Sequence, residues 1–410
     1  MKKKLMKNRP IFFQVLGVII ALIITYSINL NRRMSANWMG PYLSAAHNLE
    51  WSGDFNINIE EVIHFKELNV KNQDSYKFKS RKNLTHYNHN PIGYAYLIKG
   101  ASMLFPFVGH QMAIILLQCL VFLLVNILFL KLFKLNNRQK WLFFILFSVN
   151  PLVLSFVPFN FYYFWQIIPS VIFGYLLLSK KPKLIILFAL ILILPFIIIT
   201  RPTVVFSLLL VVYLLYKRTT IPFVMFGVIY VLIISFWLFQ PIKKNIWHTV
   251  YTGFGAYSNS NNIELNDNST YKLYTDYTGK KLNASIGGNY YDTEVIDKYS
   301  EITRSETLRI FNESPITFIK NAFVNTLQGF SIGYINKAGD TINYFIAFSG
   351  LILIGSMLFF KKYIWFLMIG LSIGTFTLYY PPIQSYMYGV YLLLALYILS
   401  TFFKIKFYYS

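Results

Sequence analysis

The sequence predicts an all-α fold: a polytopic transmembrane bundle of about ten spans with two long polar segments between spans. Three observations predict it. Of 410 residues, 56% are hydrophobic and only 13% charged, against about 25% charged in soluble domains. Apolar runs of bilayer length recur between short basic breaks. All 16 acidic residues fall in two stretches, six within 31–110 and ten within 241–340.

The apolar runs lie near 11–30, 111–130, 141–157, 161–178, 184–199, 203–216, 220–240, 341–360, 363–380 and 385–403. The first follows MKKKLMKNRP and resembles a signal peptide. It is longer than a signal core and no small-x-small site follows, so it reads as an uncleaved first span. Charge then threads the chain. Segments 1–10, 131–140, 179–183, 217–219, 361–362 and 404–410 hold eighteen Lys and Arg and no acid. Short basic loops stay in the cytoplasm, which places both termini inside and both polar segments outside. The net charge of +22 thus reports orientation, helped by anionic inner-leaflet lipid. Nucleic acid is not an expected partner. The single cysteine, Cys119, excludes a disulfide within the chain. The short basic N-terminus and the Lys, Asn, Ile, Phe and Tyr bias point to a bacterial inner membrane.

Three regions follow: a membrane module over 1–240, a polar region with amphipathic helices over 241–340, and C-terminal spans over 341–410. The first polar segment begins at Asn31-Arg32-Arg33. Ala36 to Phe55 reads as a surface helix ended by Gly53. Residues 94–108 read as an interfacial or re-entrant helix, because a span there would invert every later loop. In the second segment, Asn245 to Asn262 is rich in Gly, Asn and aromatics and reads as irregular. Residues 293–313 read as a helix capped by Asp292, with pairs such as Glu294/Lys298 four apart. Ser314-Pro315 restarts a helix. Its face of Ile316, Phe318, Ile319, Ala322, Phe323 and Leu327 suits a membrane surface.

Two soluble-enzyme motifs are absent: there is no phosphate-binding Gly loop and no HExxH. The six histidines lack tight metal spacing; His86 and His89 are three apart, but Pro91 disfavours a regular helix there. Other fragments do form a pattern. Tyr42, Ala46, Asn48, Leu49 and Gly53 spell Y-x-x-x-A-x-N-L-x-x-x-G. Pro91, Gly93 and Tyr94 follow, with an apolar run ending at Leu104-Phe105-Pro106. In this order they resemble the first outer loop of GT-C-type membrane glycosyltransferases, which take sugar from a polyprenyl-phosphate carrier. Asn150-Pro151 before LVLSF resembles that family's N-P at the outer end of a span, and Thr200-Arg201-Pro202 resembles its outer-face basic position. The resemblance covers roughly the first half of the chain.

The family's acidic residue four before the tyrosine is Trp38 here, flanked by Asn37 and Met39. None of the three can take a proton from a hydroxyl. Glu50 and Asp54 are the nearest carboxylates and the catalytic candidates, with a solvated surface acid as the other reading of each. Arg201, between two apolar runs at a membrane boundary, either snorkels to water or binds lipid phosphate with its planar fork. Lys99 is a weaker candidate for the same role, as are Arg81 and Lys82. Tyr42, His89 and Asn90 from the first segment, and Trp247, His248 and Tyr251 from the second, are the candidate sugar-binding residues. The resemblance implies an enzyme moving sugar from a polyprenyl-phosphate carrier to a glycan or lipid acceptor, with a divalent metal as the candidate cofactor. Two readings stay open beside it: an O-antigen-type polymerase or ligase, and a non-catalytic envelope or transport protein. Ionisable residues are nearly absent from the spans, which counts against ion-coupled transport.

Overall fold

Inside a bilayer an apolar run can satisfy its backbone only by coiling into a helix, and about three-quarters of this chain is helical. The structure, a computed structural model, describes residues 2–28, 39–49, 55–86, 92–132, 137–239, 245–282 and 293–402. Strand pairing among the described residues is confined to a short hairpin, Asn56–Ile57 against Thr85–His86, and one isolated bridge, Tyr334 to Ile383.

The first half contains α1 (Lys2–Ile28), α2 (Gly40–Asn48), α3 (Ile59–Glu67), α4 (Val70–Ser75), α5 (Gly93–Leu104), α6 (His110–Leu132), α7 (Asn137–Phe143) and α8 (Pro151–Leu154). Then come α9 (Ile167–Leu178), α10 (Leu184–Ile191), α11 (Leu194–Thr200), α12 (Val205–Arg218) and α13 (Ile221–Leu238). The second polar segment forms α14 (Ile246–Phe254), α15 (Asp267–Thr278), α16 (Thr293–Glu313) and α17 (Pro315–Gly329). The chain closes with α18 (Gly339–Phe359), α19 (Tyr363–Ile373) and α20 (Tyr388–Phe402). Among the described residues, four helices are long and apolar enough to cross a membrane: Ile11–Ile28 of α1, α6, α13 and α18. Shorter apolar stretches, Tyr162–Leu178, Leu184–Thr200, Tyr363–Ile373 and Tyr388–Phe402, accompany them. Every residue of α9 is buried, and it packs along both α20 and α12. One apolar core runs from Val18 to Leu399.

Several expected runs are broken, for local reasons. The run 141–157 is cut at Asn150-Pro151. Asn150 caps α8, its Oδ1 accepting from the Leu152 N–H (3.0 Å) while its Nδ2 donates to Leu146 O (3.0 Å). Pro195 opens α11 and splits 184–199 into two helices. The stretch expected as a surface helix over 36–55 is instead α2, which ends at Asn48 and buries eight of its nine residues. Of the stretch expected to be irregular, Asn245 to Asn262, Ile246–Phe254 forms α14 and the remainder from Gly255 is turns and loop. Asp292 lies outside the described residues, while α16 covers the predicted 293–313 and α17 starts at Pro315 as expected.

The bundle has two unlike ends. At one, Arg218 closes α12 by donating to Ser179 O and to Lys180 O (3.4 Å), joining two basic breaks. The other end of α12 starts beside Arg201, about 21 Å away at 1.5 Å per residue. Both long polar segments gather at this second end. Helix α17 is inverted in character. Ile316, Ile319 and Phe323 are exposed, whereas Asn321, Asn325 and Gln328 are buried. An apolar outside over a polar inside suits a helix facing lipid.

Candidate functional site

Arg201 follows α11, where Pro202 ends the helix by opening a single 3-10 turn, Pro202–Val204. The side chain turns inward and is only 7% exposed. Three tyrosines surround it. Its Cζ lies 4.3 Å from the Tyr163 ring centre, 4.4 Å from that of Tyr386 and 5.7 Å from that of Tyr162. Nη1 donates to the Tyr163 hydroxyl at 3.3 Å. Nε is buried without a hydrogen-bond partner, and no carboxylate among the described residues pairs with this guanidinium. A buried cation normally requires a counter-charge. Desolvated cation–π contacts supply about 2 kcal/mol each and offset that cost in part.

The tyrosine box reaches back to the first polar segment. The Tyr42 ring touches Tyr94 (5.4 Å) and Tyr162 (5.9 Å) edge-on, and the Tyr94 hydroxyl donates to Asn160 Oδ1 at 2.8 Å. Gly93 makes this approach possible. A Cβ there would stand 2.2 Å from Phe196 O and 2.6 Å from Thr200 Oγ1, so α5 lies directly on α11. Gly93 therefore seats the helix, and Tyr94 lines the box beside Tyr42 and Tyr162.

The box also reaches the second polar segment. Tyr386 contacts Tyr380 (5.4 Å between ring centres). Helix α14 lies against the same turn, and a Cβ on Gly253 would come within 2.0 Å of Tyr379 O. Five residues before Gly253 stands His248. Its Nδ1 meets the Tyr299 hydroxyl (2.5 Å) and Thr270 Oγ1 (2.9 Å), and its Nε2 meets Asp267 Oδ1 (3.1 Å). Burial holds the Tyr299 phenol well above its usual value, so it stays protonated and can donate to the imidazole. The Asp267 side chain is 70% exposed.

No family model, no curated protein and no solved structure matches this chain. The tyrosine box and the His248 cluster rest on their own geometry.

Tyr42 and Arg201, far apart in sequence, belong to one aromatic network. Lys99 donates instead to Leu49 O, capping the C-terminal end of α2 with a cation. Trp247 carries Arg304 over its ring at 5.8 Å beside a groove that includes Ser300 and Glu301. Tyr251 is 7% exposed and sits in a small core with Phe254, Ile263 and Ile310; burial raises its phenol. Glu50, Asp54, His89, Asn90 and Trp38 lie outside the described residues. Among the described residues no three His, Cys, Asp or Glu side chains gather as a metal-ligand set. Sequence reasoning passed over Tyr162, Tyr163, Tyr386, Asp267 and Tyr299. The aromatic run Phe159 to Trp165 was the available signal for the first two.

Proposed function

We propose that this protein is a membrane glycosyltransferase resembling the GT-C type, moving sugar from a polyprenyl-phosphate carrier to a cell-envelope acceptor. In this reading about ten spans cross a bacterial inner membrane, both termini are cytoplasmic, and the polar end faces outward. One observation carries it: a buried arginine in a box of three tyrosines, without an acidic partner among the described residues, where both polar segments meet. A phosphate is the anion that suits such a fork.

The chemistry is a single displacement. An acceptor hydroxyl attacks the anomeric carbon, and a new carbon–oxygen bond forms. The bond from that carbon to the phosphate oxygen breaks, and its electron pair leaves with the phosphate. Arg201 stabilises the charge that grows on the leaving group. The hydroxyl proton passes to a base.

Purified protein supplied with labelled polyprenyl-phosphate sugar should release lipid phosphate. Arg201→Met should lower that rate by about 100-fold or more, as expected for losing a buried charge contact. The variant should melt no lower than wild type, since an isolated buried cation is costly and methionine fills similar space. A wild type that stays at the Arg201→Met background removes the transferase reading.

A further inference from the structure

We infer, on the footing of the transferase reading, that Asp267 accepts the proton of the attacking hydroxyl and that His248 positions it. The vacancy that Trp38 leaves in the first segment is filled from the second.

The argument is geometric. Both ring nitrogens of His248 are engaged, Nδ1 by the Tyr299 hydroxyl and Nε2 by Asp267. The imidazole therefore presents no free nitrogen to a substrate. Asp267 receives it through Oδ1, and no hydrogen bond among the described residues reaches Oδ2. That oxygen belongs to a side chain 70% exposed. Three anchors fix the arrangement. Thr270 Oγ1 donates to Asp267 O (2.8 Å), Asn266 caps α15 through Ser269 N–H (3.1 Å), and Tyr299 lies under the imidazole from α16.

Position supports the assignment. Helix α14, which carries His248, is seated on Tyr379 by Gly253, and Tyr380 of the same turn touches Tyr386 of the arginine box. A donor whose phosphate lay at Arg201 would have its sugar beside this turn. Several other carboxylates of the polar segments are tied to partners of their own. Asp74 takes hydrogen bonds from Tyr26 (2.5 Å) and Gln111 (3.0 Å), and Glu61 takes those of Tyr76, Lys79 and Ser80. Asp340 accepts from Ser258 N–H (3.1 Å), and Glu306 and Glu313 pair with Arg309.

The chemistry balances. The acceptor O–H bond breaks as its oxygen bonds to the anomeric carbon; the proton moves to Asp267 Oδ2, and the lipid phosphate departs with the electron pair. The titratable groups facing the cluster are the phenols of Tyr299 from α16 and Tyr271 from α15, with the cation of Arg304 over the neighbouring Trp247. Imidazole N–H donation keeps the carboxylate ionised, which is the form a base needs. As the new bond forms the hydroxyl becomes acidic, so a carboxylate suffices.

The test uses the full chain in detergent or liposomes with labelled polyprenyl-phosphate sugar. Asp267→Asn should slow transfer by about 100-fold or more, the usual share of a positioned base. Its KM for donor should stay within about twofold of wild type, since Arg201 still holds the phosphate. Asp267→Glu should restore part of the rate. His248→Gln, which can still donate to the carboxylate, should lose less than Asp267→Asn and keep its acidic limb in the pH profile. An Asp267→Asn variant that turns over like wild type, while Arg201→Met is silent, overturns the base assignment and leaves the transferase reading intact. A wild type without transfer overturns both.

Discussion

At the residue scale, burial decides what each charged group does. Arg201 and Lys99 were candidates for one role on similar grounds, as cations beside apolar runs. The fold separates them. Lys99 completes the end of α2 at Leu49 O, whereas Arg201 enters a box that offers aromatic faces and, among the described residues, no anion. Lys66 is a third case. Its Nζ is buried without a partner, and burial pushes the ammonium from 10.5 down to about 8. A charge disfavoured by the fold weakens the folded state wherever it is protonated. That penalty is complete below about pH 8 and is relieved as pH climbs from there toward 10.5. The stability of the first polar segment should therefore rise between pH 8 and 10. Lys66→Met should flatten that rise. Hydrogen exchange of α3 and α4 amides at pH 7.5 and 9.5 would measure it, and equal slopes in both proteins would refute it.

At the element scale, two glycines set how the polar segments dock. Gly93 lets α5 lie on the Phe196 carbonyl next to Thr200, and Gly253 lets α14 lie on the Tyr379 carbonyl. Both contacts are backbone on backbone, so nothing flexible can yield. Gly93→Ala should cost about 1–3 kcal/mol, typical of overpacking, and should disturb Arg201, which follows Thr200 directly. Gly100 on the same helix is the control, because a Cβ there meets nothing within 4 Å. Gly100→Ala should gain up to about 1 kcal/mol of helix propensity. Thermal melts of the two variants should move in opposite directions, and a shared direction would show that the α5–α11 contact is not tight. Legibility also differs between elements. Pro315 and the charge pattern of α16 announced those helices, and the structure contains them. Helix α14 was hidden, because its aromatic and glycine content suggests a loop until Asn245 Oδ1 caps it at His248 N–H (3.2 Å).

At the scale of the whole molecule, charge and contact agree on two unlike ends. Arg218 joins the basic breaks at one end, while the arginine box and both polar segments lie at the other. The proposed orientation can be read directly. In a Cys119→Ser background, Lys298→Cys in cells should react with a membrane-impermeant maleimide, and Lys217→Cys should react only after permeabilisation. Labelling of both, or of Lys217→Cys alone, would reverse or break the topology. Both positions are solvent-facing, so a silent cysteine would not be explained by burial.

The sequence by itself determined the membrane character, the helical class and the expected sidedness. These follow from the bilayer acting on each segment separately: an apolar run must be helical, and a basic break has a preferred side. Only the tertiary structure decided what surrounds Arg201. Tyr163, Arg201 and Tyr386 come from three distant parts of the chain, and no local pattern marks them as neighbours. The same holds for His248, Asp267 and Tyr299, whose hydrogen bonds close only when three helices pack together. Periodicity and charge are properties of a segment, whereas a site is a property of side chains that meet across segments, and packing alone settles which ones meet.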